Sequence, residues 1–143
     1  MNIAFFLLPK SEVITATPQA TLRQTLERME FHRYTAVPII SDDGHYMGTV
    51  TEGDLLWFLK NSETVSFDNA HRHVLSEVPL RVNNKPVHIH AEMVDLIDLA
   101  KVQNFVPVVD DSDKFIGIVR RSEIIEYCAK QLNFKAASVS HER

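Results

Sequence analysis

The segment Val37-Pro38-Ile39-Ile40-Ser41-Asp42-Asp43 returns as Val106-Pro107-Val108-Val109-Asp110-Asp111, with the two prolines 69 residues apart. A duplication of this kind constrains a chain of 143 residues more than any other feature, because both halves must adopt one design. The same register carries Gly48 onto Gly117, Val50 onto Val119, Asp54 onto Glu123, and Leu55, Leu56 and Leu59 onto Ile124, Ile125 and Cys128. Upstream the offset becomes 71, setting Leu22, Thr25, Leu26 and Met29 opposite Met93, Leu96, Ile97 and Ala100. The second copy is therefore expected to have a loop shorter by two residues.

Periodicity gives the content of each copy. A short strand is expected at 13–16 and at 86–89, followed by a helix with apolar residues at i, i+3, i+4 and i+7. The β-branched runs 34–40 and 105–109 end in Ser-Asp-Asp-Gly and Asp-Asp-Ser-Asp turn chemistry, so a hairpin follows. The return strands, 46–50 and 115–119, lead into helices opening near Glu52 and Arg121. The fold class is thus mixed α/β (α+β), two tandem β-α-β-β-α repeats packed as a pseudo-two-fold pair. Residues 1–60 form the first repeat and 61–78 a hinge and linker helix with Asp68 as its N-cap. The second repeat spans 79–134, and 135–143 is a flexible tail.

At 45% hydrophobic and 24% charged, the chain can bury one respectable core or two small ones sharing an interface. The one cysteine, Cys128, can make no internal disulfide, which fits a reducing, cytoplasmic setting; it is expected to be buried. The apolar run 3–8 is closed by Pro9 and Lys10 and reads as neither a signal peptide nor a membrane span. A formal charge of −4 supplies no general attraction to nucleic acid or anionic lipid, so neither is expected as a partner.

Thr51 to Asp54 lies at a strand-to-helix turn, where unpaired N–H groups and partial positive charge suit a phosphate. Thr51 can donate its hydroxyl there, and the Asp54 carboxylate can accept both vicinal hydroxyls of a ribose. The plain alternative is that Thr51 caps the helix and Asp54 is a favourable first-turn charge.

The run Tyr34-Thr35-Ala36-Val37-Pro38-Ile39, then Gly48-Thr49-Val50-Thr51-Glu52-Gly53-Asp54, in a duplicated context, resembles a cystathionine-β-synthase-type (CBS) domain pair, or Bateman module. The likeness covers residues 5–132, and the second half is similar to stand-alone bacterial members. It implies a regulatory adenine-nucleotide ligand, among AMP, ADP, ATP, S-adenosylmethionine and a cyclic dinucleotide such as cyclic di-AMP, and no catalytic cofactor. It also implies that Thr35 and the backbone at Ala36 and Val37 read the adenine edge, with Val13, Ile14 and Pro38 as apolar faces. A homodimer and an unidentified effector protein are its expected partners.

The second copy departs from the pattern, with Arg120 where Thr51 stands and Glu123 where Asp54 stands. Arg120 and Arg121 either complete the phosphate end of the site or form a solvated helix start. No metal site is expected: His88-x-His90 shares one strand face, but no cysteine or carboxylate completes a ligand set in the sequence, and His71 and His73 diverge on the expected helix. With no nucleophile–base pair and no GxSxG elbow, the reading is a non-enzymatic sensor. A ligand-free dimerisation module is the alternative, and a use for Asp54 as a ribose acceptor separates the two.

Overall fold

The computed structural model describes residues 2–141, with side chains through Asn133. Helix α1 (Leu22–His32) opens on a reciprocal cap: Thr21 Oγ1 accepts the Gln24 N–H, and the Gln24 side chain accepts the Thr21 N–H. It closes on Arg33 in the left-handed region at φ 58°. Its counterpart, which we number α3 (Met93–Ala100), has 8 residues against 11, so the two-residue shortening falls within the helix, and the connection after it, 101–104 against 33–35, is longer by one.

Strands β2 (Ala36–Ile40) and β3 (Tyr46–Thr51) form one antiparallel hairpin, and β5 (Phe105–Val109) and β6 (Phe115–Arg120) form its equivalent. The second hairpin is widened by β1 (Leu8–Pro9) on β6 and by β4 (Val87–His88), parallel to β5, giving the order β1-β6-β5-β4. Helices α2 (Glu52–Asn61) and α4 (Arg121–His141) follow the return strands directly. No described helix is long and apolar enough to cross a membrane.

Two expected elements are replaced. The strand at 13–16 is reduced to a single parallel bridge between Ala16 and Ile39, after a 3-10 turn at Lys10–Glu12. Pro18 lacks the N–H that would extend that pairing. The linker helix at 68–78 is instead two 3-10 turns, Ala70–Arg72 and Leu75–Glu77, and Asp68 caps neither. Between them the chain is extended, because the His73 carbonyl accepts the Leu22 N–H and the Val74 N–H goes to the Glu77 carboxylate. Those bonds commit the backbone groups that a continuous helix needs. Cys128 is half-buried rather than buried. The expected tail at 135–143 lies outside the described side chains.

Each repeat's core is completed by the segment leading into the other. Ile3 is fully buried among Met93, Leu96, Val106, Val119 and Ile124, while Val65, Ala70, Leu75 and Val78 pack with Leu22, Met29, Val37 and Leu55. The bridges Asn2–Glu92 and Thr21–Val74 mark the two crossings. Residues 2–9, read from sequence as part of the first repeat, thus belong physically to the second.

The pseudo-two-fold axis is visible in bonds between equivalent residues. Thr35 meets Asn104 at 3.3 Å, His45 bridges Lys114, and the rings of Tyr46 and Phe115 stack with centroids 6.4 Å apart. Each pair is separated by the 69-residue offset of the repeat. The hairpin turns are tied further by the Phe115 N–H on the Gly44 carbonyl at 2.8 Å and by the Lys114 ammonium on the Asp43 carbonyl.

Candidate functional site

At the open end of the paired hairpins lies a cavity of about 240 Å³. Its walls are apolar, from Leu8, Val13, Ile14, Ala36, Pro38, Phe105 and Ile118, and its rim is polar, from Glu12, Tyr34, Thr35, Asn104 and Arg120. Phe105 and Ile118 belong to a small cluster shared between the repeats, which gives the cavity a rigid floor. Arg120 ends β6 and leaves its guanidinium half-exposed, 3.3 Å from the Glu123 carboxylate.

Val13, Ile14, Thr35, Ala36, Pro38 and Arg120, all singled out in sequence, therefore line one cavity. Glu123 reaches it only through Arg120. Val37 is buried in the first core, and the Arg121 guanidinium donates from Nε to the Gln103 carbonyl at 2.9 Å. Thr51 and Asp54 do not line this cavity. Thr51 caps α2 and Asp54 is buried, its Oδ2 accepting the Thr51 N–H at 2.9 Å and its Oδ1 accepting the Arg81 N–H at 3.0 Å. Asp54 instead borders a concavity of about 270 Å³ with Trp57 and Arg81, whose guanidinium lies over the Trp57 ring.

The segment 80–85, the counterpart of 9–14 under the 71-residue offset, packs on the β2–β3 hairpin: the Arg81 N–H donates to Asp54, Leu80 packs on Gly48, and the Asn84 carbonyl accepts the Tyr46 hydroxyl at 2.8 Å. Gln103 pins the end of the segment, accepting from the Lys85 N–H and donating to the Lys85 carbonyl.

Sequence reading missed Leu8, Glu12, Tyr34, Asn104, Phe105 and Ile118 as lining residues. Asn104 and Phe105 had a signal available, since the 69-residue offset maps them onto Thr35 and Ala36. Leu8 and Ile118 had none, because their meeting depends on the crossing of the N-terminal segment into the other repeat.

Tyr46 anchors the segment 80–85 through the Asn84 carbonyl and is titratable. Burial pushes its phenol up to about 12 from the ordinary 10, and the hydrogen bond with Thr49 offsets part of that rise. The fold holds the neutral phenol, so this contribution is fully present below pH 10 and is lost as pH rises through about 12. The interval corresponds to roughly 2–3 kcal/mol. Urea unfolding between pH 8 and 12 is expected to show a steeper alkaline loss in the wild type than in Tyr46→Phe. Parallel losses in the two proteins would dissociate Tyr46 from the alkaline response.

Residues 7–61 and 75–130 each match the CBS domain family, so this chain belongs to that family and carries two such domains in tandem. It is similar to a CBS domain-containing protein of Dictyostelium discoideum, 23% identical over 139 residues, 92% of this chain and 95% of that one. The fold superposes on Listeria monocytogenes CbpB in complex with c-di-AMP with a TM-score of 0.79 at 15% identity, covering 94% of this chain and 99% of the other. It superposes on CBSX2 in complex with AMP with a TM-score of 0.72 at 22% identity, covering 92% and 98%.

Proposed function

We propose that this CBS pair is a regulatory module that binds an adenine nucleotide in the open cleft and performs no chemistry on it. The observation that carries this reading is one cavity joining apolar walls to the polar groups of Thr35, Asn104 and Arg120, drawn from both repeats. A flat heterocycle fits between Val13, Ile14 and Ala36, with the Thr35 hydroxyl at its edge. The sugar and phosphates then extend toward the rim, where the Arg120 guanidinium is free to leave Glu123 for a phosphate. That CbpB carries c-di-AMP and CBSX2 carries AMP on the same fold supports a nucleotide of this class.

The chain acts as a homodimer in this reading, in a cytoplasmic setting, and passes occupancy of the cleft to an effector protein. Leu56 and Ile125, equivalent under the repeat, are 53% and 58% exposed on α2 and α4, and Leu132 is 68% exposed further along. These apolar side chains also suit the second reading, a dimerisation module whose cleft has no ligand.

Thermal shift against AMP, ADP, ATP, S-adenosylmethionine and cyclic di-AMP separates the two. A ligand at about 100 times its Kd stabilises the fold by about 2.7 kcal/mol. A flat response across the panel favours the dimerisation reading. For the ligand found, Arg120→Ala is expected to weaken phosphate-bearing forms by about tenfold or more in calorimetry and to leave adenosine nearly unchanged. An equal loss for adenosine would remove Arg120 from the phosphate end.

A further inference from the structure

The sequence supplies His88-x-His90 without a carboxylate; the fold supplies the carboxylate. β4 runs parallel to β5 with His88 opposite Val109, and the Ile89 N–H on the Val109 carbonyl at 2.9 Å fixes the register beyond it. The turn after β5 therefore comes level with both imidazoles. Asp111 Oδ1 lies 3.0 Å from His88 Nε2 and 3.4 Å from His90 Nε2, and the imidazole rings stack with centroids 5.1 Å apart. One ligand atom from each residue lies within 4.8 Å of the others. The turn is held by the Asp110 carboxylate, which accepts the Ser112 and Lys114 N–H groups at 2.8 and 2.9 Å.

We propose that His88, His90 and Asp111 form a surface site for a divalent transition-metal ion of the Zn²⁺ class, separate from the nucleotide cleft. Ligand bonds of about 2.0–2.2 Å in a tetrahedron separate donor atoms by about 3.3–3.5 Å, close to the nitrogen–oxygen distances already present. Two imidazoles and one carboxylate suit Zn²⁺, Co²⁺ or Ni²⁺, whereas Mg²⁺ and Ca²⁺ prefer an all-oxygen set. A fourth position stays open to water or to a group from a partner. On binding, His88 coordinates through Nε2 and carries its remaining proton on Nδ1, giving up the long 3.5 Å contact from the His90 N–H.

The repeat provides an internal control. The positions equivalent to His88, His90 and Asp111 are Thr17, Gln19 and Asp42, which hold no imidazole, so the site belongs to the second repeat alone. Its donors lie outside both hydrophobic cores, with His88 half-buried and His90 and Asp111 exposed.

Calorimetry of the untagged full chain with Zn²⁺, joined to absorption spectra with Co²⁺, tests the site. One ion per chain is expected, with affinity falling roughly tenfold or more in His90→Ala and in Asp111→Asn, and unchanged in His45→Ala and His71→Ala. The Co²⁺ spectrum is expected to lack a near-ultraviolet thiolate band. Absence of binding, equal affinity in all four variants, or a thiolate band from Cys128 would overturn the assignment. Circular dichroism of His90→Ala and Asp111→Asn establishes that any loss is not unfolding.

Discussion

Asp54→Ala is expected to cost about 3 kcal/mol or more of folding stability, because two backbone N–H groups lose a charged acceptor at once. Asp54 is 2% exposed, and its two oxygens tie the start of α2 to Arg81. A solvated first-turn carboxylate would contribute only about 0.3–1 kcal/mol. Asp54→Asn keeps one acceptor oxygen and is expected to lose about half as much. Urea unfolding of the three proteins separates these sizes, and a loss below 1 kcal/mol for the alanine variant would mean that water replaces the carboxylate freely. Because Asp54 does not line the open cleft, folded Asp54→Asn is also expected to retain the cleft's ligand affinity.

Gly117→Ala is expected to be comparably severe, at about 3 kcal/mol or more. A Cβ at Gly117 would stand 2.2 Å from the Leu8 carbonyl oxygen and 3.1 Å from its carbon, and backbone cannot move aside as a side chain can. The residue also sits at φ +157°, at the edge of the region that favours glycine. The substitution would force β1 off β6 and with it Leu8 from the cleft wall. Gly48 shares the positive φ, at +144°, but its Cβ would meet Leu80 Cδ1 at 2.7 Å, the end of a flexible side chain, so on the difference in neighbours the same change in the first repeat is expected to cost less. Thermal unfolding of the two variants compares the repeats directly. Equal losses would show that β1 yields as readily as Leu80.

The duplication made the pair of hairpins and the four helices legible, because each hydrophobic stripe appears twice in one register. The Thr51 cap was legible for a different reason, since Thr51-x-x-Asp54 is a local signal. The segments leading into each repeat were not, since 2–9 and 70–78 take their shape from bonds to the opposite repeat and carry little periodicity of their own. The candidate cleft inherited that limit. Val13, Ile14, Thr35, Ala36, Pro38 and Arg120 were readable from the repeated motif, but their grouping with Leu8 and Ile118 depends on the crossing. The burial of Asp54 was hidden for a related reason: Arg81, which engages it, is 27 residues away.

The ties at the hairpin turns have a mechanical consequence. Gly44, His45 and Lys114 join the two β-ribbons by backbone bonds at one end, while at the other the ribbons meet through side chains, the 3.3 Å bond from Asn104 to Thr35 at the cleft rim and the packing of Ala36 with Phe105 and Ile118. The ribbons are therefore bound like the leaves of a book, with the spine at the turns and the fore-edge at the rim. A guest wedged between the leaves meets least resistance by parting the fore-edge, a rotation rather than a translation. Because α2 and α4 start at that edge, a parting of the ribbons there would be passed first to the helices bearing Leu56 and Ile125.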